Sequence, residues 1–297
     1  MIANNTVDLA GRCVSRIGFG AMQLPGPGVF GPPKDKAVAL ALLRRVVDAG
    51  VNHIDTAQYY GPDVANDLIR EALHPYPDEL VIVSKVGAAR DEGGQWLGAQ
   101  RPEELRAGVE ANLASLRLEQ VPVVNLRRHP MSDVAFGDQL AAMVDMRDEG
   151  LIGGIGLSSV SLDELRQGIA ATTIACVQNA YNVVDRSDQG VFDACVDEGV
   201  PYVPFFPLGS AFMPGRPVLT HPVVTEAAER LRVTPAQVAQ AWLLELSPLV
   251  LLIPGTSSVI HLEENLAVAR VALDQEAMDA LSGITAPGSS SAPAPHR

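Results

Sequence analysis

The sequence predicts a single (β/α)8 barrel, because short β-branched runs alternate with longer helical patterns eight times along the chain. The predicted strands show little alternation of polar and apolar residues, which is typical of parallel strands covered on both faces. The chain has 297 residues, 47% of them hydrophobic, and eight strand–helix units over roughly 250 residues match the usual size of such a barrel. A doubly wound sheet is the alternative, although no half of the chain looks like a separate substrate domain.

The predicted elements alternate from the first strand to the last helix. The strands are 15–20, 52–55, 80–85, 123–127, 154–157, 174–178, 202–205 and 250–253. The helical patterns that follow them are 34–49, 64–73, 102–116, 137–149, 162–170, 190–198, 235–246 and 262–269. The seventh helix has a clear start, because Thr234 suits an N-cap, Pro235 the first helical position and Gln237 the third. We expect one barrel domain over 1–285 and a disordered Pro- and Ser-rich tail over 286–297.

Composition excludes several classes of protein. Lys and Arg total 22 against 35 Asp and Glu, a formal net charge of -13, so we expect no nucleic-acid surface. The most apolar stretch, 243–253, is interrupted by polar residues and is too short for a bilayer span, and no secretory signal is recognisable at the start. Three scattered cysteines, Cys13, Cys176 and Cys195, show neither metal-ligand spacing nor a disulfide framework. We therefore expect a cytoplasmic α/β protein without a membrane partner or a metal.

One glycine pattern imitates a dinucleotide-binding motif. Residues 26–31 read Gly-Pro-Gly-Val-Phe-Gly and satisfy G-x-G-x-x-G. They follow Pro25 and run into Pro32 and Pro33, so they neither end a strand nor open a helix. We interpret this segment as a rigid loop and not as a phosphate cradle.

Two strand ends carry candidate catalytic residues. Asp55 ends the second predicted strand and Lys85 ends the third, and catalytic groups of a barrel lie at those ends. A lysine beside an apolar strand is costly to bury without an acid, and Asp55 is the obvious partner. Lys85 held by Asp55 is then expected to lower the pKa of Tyr60, so that this phenol exchanges a proton with a carbonyl or alcohol. Taken alone, the segment also allows Asp55 to cap a helix and Tyr60 to be an ordinary half-buried aromatic.

Seven short segments in order make the chain resemble the aldo-keto reductases. They are 18–22, 55–60, 83–85, 154–158, 178–179, 204–209 and 253–255, the last followed by 264–265. The resemblance covers roughly residues 10 to 285. It implies a (β/α)8 barrel, NADPH bound without a Rossmann fold, and hydride transfer to an aldehyde or ketone.

Longer strings are similar to the bacterial pyridoxal reductase (pyridoxine 4-dehydrogenase) branch of that family. They are 21–24 leading to 26–33, then 50–56, 69–73, 123–127, 202–209 and 253–258. This similarity implies reduction of pyridoxal to pyridoxine, with Tyr60 as proton donor. The same chemistry on a keto-sugar or a specialised-metabolite carbonyl is one alternative, and an NADPH-sensing binding subunit without significant turnover is another. Asp55, Tyr60 and Lys85 are all present, which argues against the binding subunit.

The fourth strand departs from the family pattern, in which a histidine hydrogen-bonds the substrate carbonyl. A match without gaps places Arg127 at that histidine, and a guanidinium can also donate to a carbonyl oxygen. His129 lies two residues later and takes the position only if one allows an insertion. We favour Arg127. The remaining possibility is that one or both side chains merely cap the strand and face solvent.

The resemblance assigns the other candidate positions to the cofactor. Ser158 and Gln178 would hold the nicotinamide carboxamide, with Ser159 where many members have Asn, and Phe205 would stack on the ring. The pyrophosphate and adenine ends would fall to Pro207, Leu208, Gly209, Glu264 and Asn265, and the full set adds Gly20, Ala21, Met22, Asp55, Ile253, Gly255, Thr256, Ser257 and His261.

The 2′-phosphate of NADPH has an unusual set of candidate ligands. Gly255 and His261 stand where many members have Lys and Arg, and only hydroxyls and amides of 256–258 lie between them. NADPH is therefore expected from the branch similarity, and NADH stays open. The sequence leaves the oligomeric state open as well.

Overall fold

The structure is a computed structural model that describes residues 6–129, 132–209 and 217–284. Its strands are β1 (Thr6–Leu9), β2 (Arg12–Ser15), β3 (Phe19–Gly20), β4 (His53–Asp55), β5 (Val81–Val86), β6 (Ala88–Arg90), β7 (Trp96–Gly98), β8 (Val121–Arg127), β9 (Ile152–Ser158) and β10 (Ile174–Gln178). Its helices are α1 (Lys36–Asp48), α2 (Val64–Leu73), α3 (Pro102–Leu116), α4 (Phe136–Asp148), α5 (Leu162–Ala171), α6 (Gln189–Asp197), α7 (Pro222–Leu231), α8 (Pro235–Leu246), α9 (Val259–Ala267) and α10 (Gln275–Ser282).

Six of the strands form one parallel sheet in the order β3, β4, β5, β8, β9, β10. Two short extended segments join its edges. The backbone N–H of Val203 donates to Val177 O at 2.7 Å, and that of Leu251 donates to Tyr202 O at 2.9 Å. Gly18 N then donates to Leu252 O at 2.8 Å, next to β3. The ring of strands is thereby closed, so the predicted (β/α)8 barrel is confirmed and the doubly wound sheet is not.

The core lies in two layers, as the lack of alternation within the strands predicts. All residues of β5 and of β10 are buried, because the barrel interior covers one face and the helices cover the other. The interior holds small β-branched side chains such as Val83 and Val123. The β1–β2 hairpin closes the lower end of the barrel with Val7, Leu9 and Val14.

Several predicted boundaries need correction. The strand predicted over 15–20 is interrupted between β2 and β3. The strands predicted over 202–205 and 250–253 consist of isolated bridges, and Pro201 and Pro204 supply no N–H for a longer ladder beside the first of them. Helices α7 and α10 and the β6–β7 hairpin were not predicted. The start of α8 is confirmed, since Thr234 Oγ1 accepts from Gln237 N at 3.2 Å.

The 26–31 pattern is a loop, as predicted. It contains a short 3-10 turn, Pro27–Val29, in which Gly28 has a φ of 69°. It neither ends a strand nor opens an α-helix. The predicted disordered tail, 286–297, lies outside the described residues.

Candidate active site

The carboxyl ends of the barrel strands surround a cavity of about 480 Å³. Asp55, Lys85, Arg127, Ser158 and Gln178 reach it from five neighbouring strands, because parallel strands end at the same mouth of the barrel. The cavity is lined by Gly20, Met22, Gln23, Asp55, Tyr59, Tyr60, Lys85, Trp96, Arg127, Ser158, Gln178, Phe205, Phe206, Pro207, Leu208, Gly209, Ile253, Pro254, Gly255 and Asn265. This volume lies within the usual range for small-molecule sites.

A buried ion pair forms the floor of the cavity. Lys85 Nζ donates to Asp55 Oδ1 and, at 3.0 Å, to the carbonyl oxygen of Thr56. Gln178 Nε2 donates to the other carboxylate oxygen, Asp55 Oδ2, at 2.9 Å. Lys85 and Asp55 are 5% and 3% exposed, so each charge depends on the other for compensation. The partnership predicted from the two strand ends is therefore present.

Tyr60 lies directly above this pair in the turn that follows β4. Its ring centroid is 5.1 Å from Lys85 Nζ, and its side chain is buried except toward the cavity that it lines. The turn is fixed by backbone bonds from Tyr60 N to Ala57 O at 3.0 Å and from Ala65 N to Tyr60 O at 3.0 Å. A phenol held in this way is a candidate proton donor.

The pKa of Tyr60 differs from the sequence-based expectation. Burial raises it above the ordinary value for tyrosine, the Asp55 carboxylate raises it further, and Arg127 lowers it. The predicted lowering by Lys85 is not found, because Asp55 compensates the ammonium charge. The phenol consequently keeps its proton at neutral pH.

Arg127 and His129 occupy different surroundings at the end of β8. Arg127 lines the cavity, and its charge offsets part of the rise that burial causes in the pKa values of Tyr59 and Tyr60. His129 is half-buried beside Gly98, outside the cavity lining, and its backbone N–H donates to Gln100 Oε1 at 3.2 Å. Of these two predicted candidates, Arg127 is the one that reaches the other catalytic candidates.

The structure brings most of the predicted cofactor positions to the cavity, but not all. Those that line it are Gly20, Met22, Asp55, Ser158, Gln178, Phe205, Pro207, Leu208, Gly209, Ile253, Gly255 and Asn265. Those that do not are Ala21, Ser159, Thr256, Ser257, His261 and Glu264. Ala21 is fully buried in the core, and Ser159 is exposed with its N–H donating to Gln178 O at 3.1 Å.

The lining fits a nicotinamide nucleotide in the nature of its groups. Phe205 supplies a flat apolar ring near the ion pair, and Ser158 and Gln178 supply a hydroxyl and an amide. Asn265, 7% exposed, lines the cavity, and its amide oxygen accepts from Gln240 Nε2 at 2.9 Å.

The polar residues predicted to bind a 2′-phosphate lie just before α9 and in its first turn. Ser257 and His261 are exposed there, and Thr256 Oγ1 accepts from Ser258 N at 3.0 Å. Glu264 has local partners, since its carboxylate accepts from the Thr234 hydroxyl and its carbonyl accepts from Gln237 at 3.1 Å.

Sequence reasoning missed five lining residues: Gln23, Tyr59, Trp96, Phe206 and Pro254. Tyr59 and Phe206 are neighbours of predicted residues, and a signal for them existed in the aromatic pairs 59–60 and 205–206. Trp96 lies on the unpredicted hairpin and had no comparable signal.

Within residues 6–129, 132–209 and 217–284, no three His, Cys, Asp or Glu side chains are grouped as metal ligands would be. No helix in the same ranges has the length and apolar character needed to cross a bilayer.

Comparison with known proteins supports the barrel fold. A model of the aldo/keto reductase family matches residues 16–286. The chain is 46% identical to pyridoxine 4-dehydrogenase of Escherichia coli over 289 residues, which cover 96% of this chain and 99% of that protein. It is 36% identical to an uncharacterised oxidoreductase of Schizosaccharomyces pombe over 271 residues, 91% of this chain and 87% of that protein.

Solved structures share the architecture. A thermostable aldo-keto reductase in complex with the inhibitor epalrestat superposes with a TM-score of 0.79 at 28% identity, over 94% of this chain and 99% of that one. An aldo/keto reductase from Klebsiella pneumoniae, in complex with NADP and acetate, superposes with a TM-score of 0.78 at 23% identity, over 94% of each chain.

Proposed function

The chain belongs to the aldo/keto reductase family, and from this premise we propose that it reduces pyridoxal to pyridoxine with NADPH. The family places it among oxidoreductases that interconvert a carbonyl and an alcohol. The observation that carries the choice of substrate is the 46% identity with pyridoxine 4-dehydrogenase over 96% of the chain. Trp96, Tyr59 and Phe206 line the cavity with aromatic surface, which suits a flat pyridine ring.

The catalytic roles follow from the contacts at the floor of the cavity. NADPH, when bound, supplies the hydride for the carbonyl carbon. The Tyr60 hydroxyl donates its proton to the carbonyl oxygen as that oxygen gains negative charge. This step leaves a tyrosinate, which takes a proton from solvent before the next turnover. The raised pKa of Tyr60 ensures that the donor begins protonated at neutral pH.

Arg127 and the ion pair support this proton transfer. The Arg127 guanidinium faces the cavity and donates to the carbonyl oxygen or to the tyrosinate. Lys85 places a positive charge 5.1 Å from the Tyr60 ring, and Asp55 holds that ammonium in position. Asp55 is held in turn by Gln178.

The cofactor is assigned to the rim formed by strands β9 and β10 and by α9. Ser158 and Gln178 would bind the carboxamide, Phe205 would stack on the nicotinamide, and Asn265 would meet the adenine. Gly255 and His261 replace the cations that many members use, so we assign the 2′-phosphate to His261 and to the hydroxyls and amides of 256–258. A structural relative solved with NADP is consistent with this choice of cofactor.

We further propose that the protein acts in the cytoplasm as one barrel domain. Cys13, Cys176 and Cys195 are free thiols, which suits a reducing compartment.

The test is a substrate panel followed by NADPH absorbance. Pyridoxal is compared with aliphatic aldehydes, aromatic aldehydes and keto-sugars at equal concentrations. The proposal expects the highest kcat/KM for pyridoxal, and a keto-sugar with a higher value would transfer the assignment to that class. NADPH binding without turnover of any carbonyl would instead indicate a sensing subunit.

The cofactor is tested separately by measuring KM for NADPH and NADH with the best substrate. We expect the lower KM for NADPH. A large preference for NADH would contradict the assignment of His261 and 256–258 to a phosphate.

A further inference from the structure

The segment that imitates a dinucleotide motif has a structural partner across the cavity mouth. The 26–33 loop faces the β6–β7 hairpin, and Arg90 of that hairpin joins the two. Arg90 Nη1 donates to Val29 O at 3.0 Å and Nη2 donates to Gly28 O at 3.0 Å. These carbonyls belong to a turn in which both residues have positive φ, 69° for Gly28 and 60° for Val29.

The same guanidinium also organises its own hairpin. Arg90 Nε donates to Gly94 O at 3.0 Å, and Nη2 donates to it at 2.7 Å. Its Cζ lies 4.1 Å from the centroid of the Trp96 ring and 5.3 Å from that of Phe30. Gly94 packs so closely on Phe30 that a Cβ there would come within 3.0 Å of the ring. The Arg90 guanidinium therefore donates hydrogen bonds through its N–H groups and also packs its planar face on aromatic rings, a combination that only a guanidinium provides.

The other end of the 26–33 loop is attached to the turn that carries Tyr60. Gly31 N donates to Gly61 O at 2.9 Å, and Phe30 and Gly61 form a parallel bridge. Within the loop, Gly26 N donates to Gly31 O at 3.1 Å, and the two prolines that follow stiffen its exit. The loop therefore spans from the residue after Tyr60 to Arg90 as a hydrogen-bonded unit.

On the side that faces the cavity, contacts between aromatic rings connect Trp96 of the hairpin to Tyr60. Trp96 meets Tyr59 edge to face at 5.7 Å between centroids, and Tyr59 meets Tyr60 in the same way at 5.4 Å. Trp96 is 38% exposed and lines the cavity, and its ring contacts the Arg90 guanidinium and the Tyr59 ring. The position of the indole relative to Tyr60 depends on these attachments.

We propose that Arg90 is a positioning residue that clamps Trp96 at the cavity mouth, and that the 26–33 loop connects this Arg90–Trp96 clamp to the turn that carries Tyr60. The indole held in this way selects carbonyl substrates that carry a flat ring. When a substrate ring stacks on an indole that is already held in place, binding does not have to order the indole side chain. A small aliphatic aldehyde has no ring to stack and gains nothing from this preorganisation. The inference rests on the proposed carbonyl reduction for its substrate, but the clamp itself does not require any substrate.

The test compares Arg90→Lys with wild type and with Arg106→Lys as matched control. The lysine keeps the charge and loses the planar fork. Arg106 is a surface arginine of α3 that pairs with Glu149 and does not line the cavity. Three quantities are measured: KM and kcat for pyridoxal, kcat/KM for propanal, and acrylamide quenching of tryptophan fluorescence. The only other tryptophan, Trp242, is 1% exposed, so quenching reports Trp96.

For Arg90→Lys we expect KM for pyridoxal to rise about tenfold, with kcat changed less than about threefold. The kcat/KM for propanal is expected to stay within about twofold, and Trp96 is expected to be quenched more strongly because its ring is no longer held. Arg106→Lys is expected to match wild type in every measurement.

Unchanged KM and unchanged quenching in Arg90→Lys would overturn the clamp. An equal loss for propanal and pyridoxal would also overturn it, since general damage to the site would explain that result. Failure of the wild-type protein to reduce pyridoxal would overturn the proposed function alone, because the quenching comparison still decides the clamp. Trp96→Phe serves as a second variant, and it is expected to raise KM for pyridoxal while sparing propanal.

Discussion

At the scale of single residues, the buried Lys85–Asp55 pair has consequences for stability as well as for chemistry. Both side chains are removed from solvent, and both carboxylate oxygens of Asp55 are used, one by Lys85 and one by Gln178. Removing one member leaves an uncompensated buried charge, which costs far more than the net contribution of the intact pair.

Lys85→Met is therefore expected to lower the free energy of unfolding by about 3–5 kcal/mol and to reduce kcat by a factor of about 100 or more. The double variant Lys85→Met/Asp55→Asn has no buried charge at this place. It is expected to regain much of the stability while remaining inactive. Urea denaturation and steady-state kinetics provide the two readouts. A single variant as stable as wild type would show that the pair is less buried than described.

Arg127 and His129 allow a direct comparison at the same strand end. Arg127→Met is expected to reduce kcat/KM for pyridoxal by about 100-fold, because a donor to the developing oxyanion is lost. His129→Ala is expected to stay within about threefold of wild type, since His129 does not line the cavity. Kinetics of both variants with NADPH at saturation decide the matter. The opposite ranking would return the carbonyl-binding role to His129.

At the scale of elements, the sequence predicts those whose signals are local. Helices α2, α3 and α8 and strand β10 have the predicted bounds, because caps, prolines and continuous apolar runs define their ends. The strands predicted over 202–205 and 250–253 are present only as isolated bridges, because the closure of the barrel there depends on pairing between distant segments.

The candidate site shows the same division. Asp55, Lys85, Tyr60 and Arg127 could be predicted because they stand at strand ends or in family segments, and all four line the cavity. The role proposed for Trp96 could not be predicted from the sequence, because it depends on hydrogen bonds from Arg90 to Val29 and Gly28. These residues precede Arg90 by 61 and 62 positions in the chain. The direction of the Tyr60 pKa shift also required the structure, because it is burial and the Asp55 carboxylate that raise this pKa.

At the scale of the whole molecule, the tyrosines make the fold sensitive to alkaline pH. Tyr59, Tyr60, Tyr181 and Tyr202 are at most 6% exposed, and burial raises the pKa of each, that of Tyr181 to about 12. Above pH of about 10 the unfolded chain loses these protons while the folded chain retains them. The stabilisation is complete below that pH and is lost as the pH rises toward the raised values.

Each such tyrosine is expected to lower the free energy of unfolding by about 1.4 kcal/mol per pH unit above pH 10. Urea denaturation between pH 9 and pH 11, together with tyrosinate absorbance of the native protein, measures the effect. Native tyrosines that ionise with an ordinary midpoint near 10 would contradict the burial on which this expectation is based.

We propose that Tyr60 supplies the proton in the proposed reduction of pyridoxal to pyridoxine. The most direct measurement is the single-turnover rate of NADPH oxidation by pyridoxal in Tyr60→Phe, with NADPH affinity measured in parallel by fluorescence. We predict a rate at least about 100-fold below that of wild type with NADPH affinity changed less than about threefold, because the ring remains and only the acidic hydroxyl is lost. A near-normal single-turnover rate in Tyr60→Phe with intact NADPH binding would contradict the account.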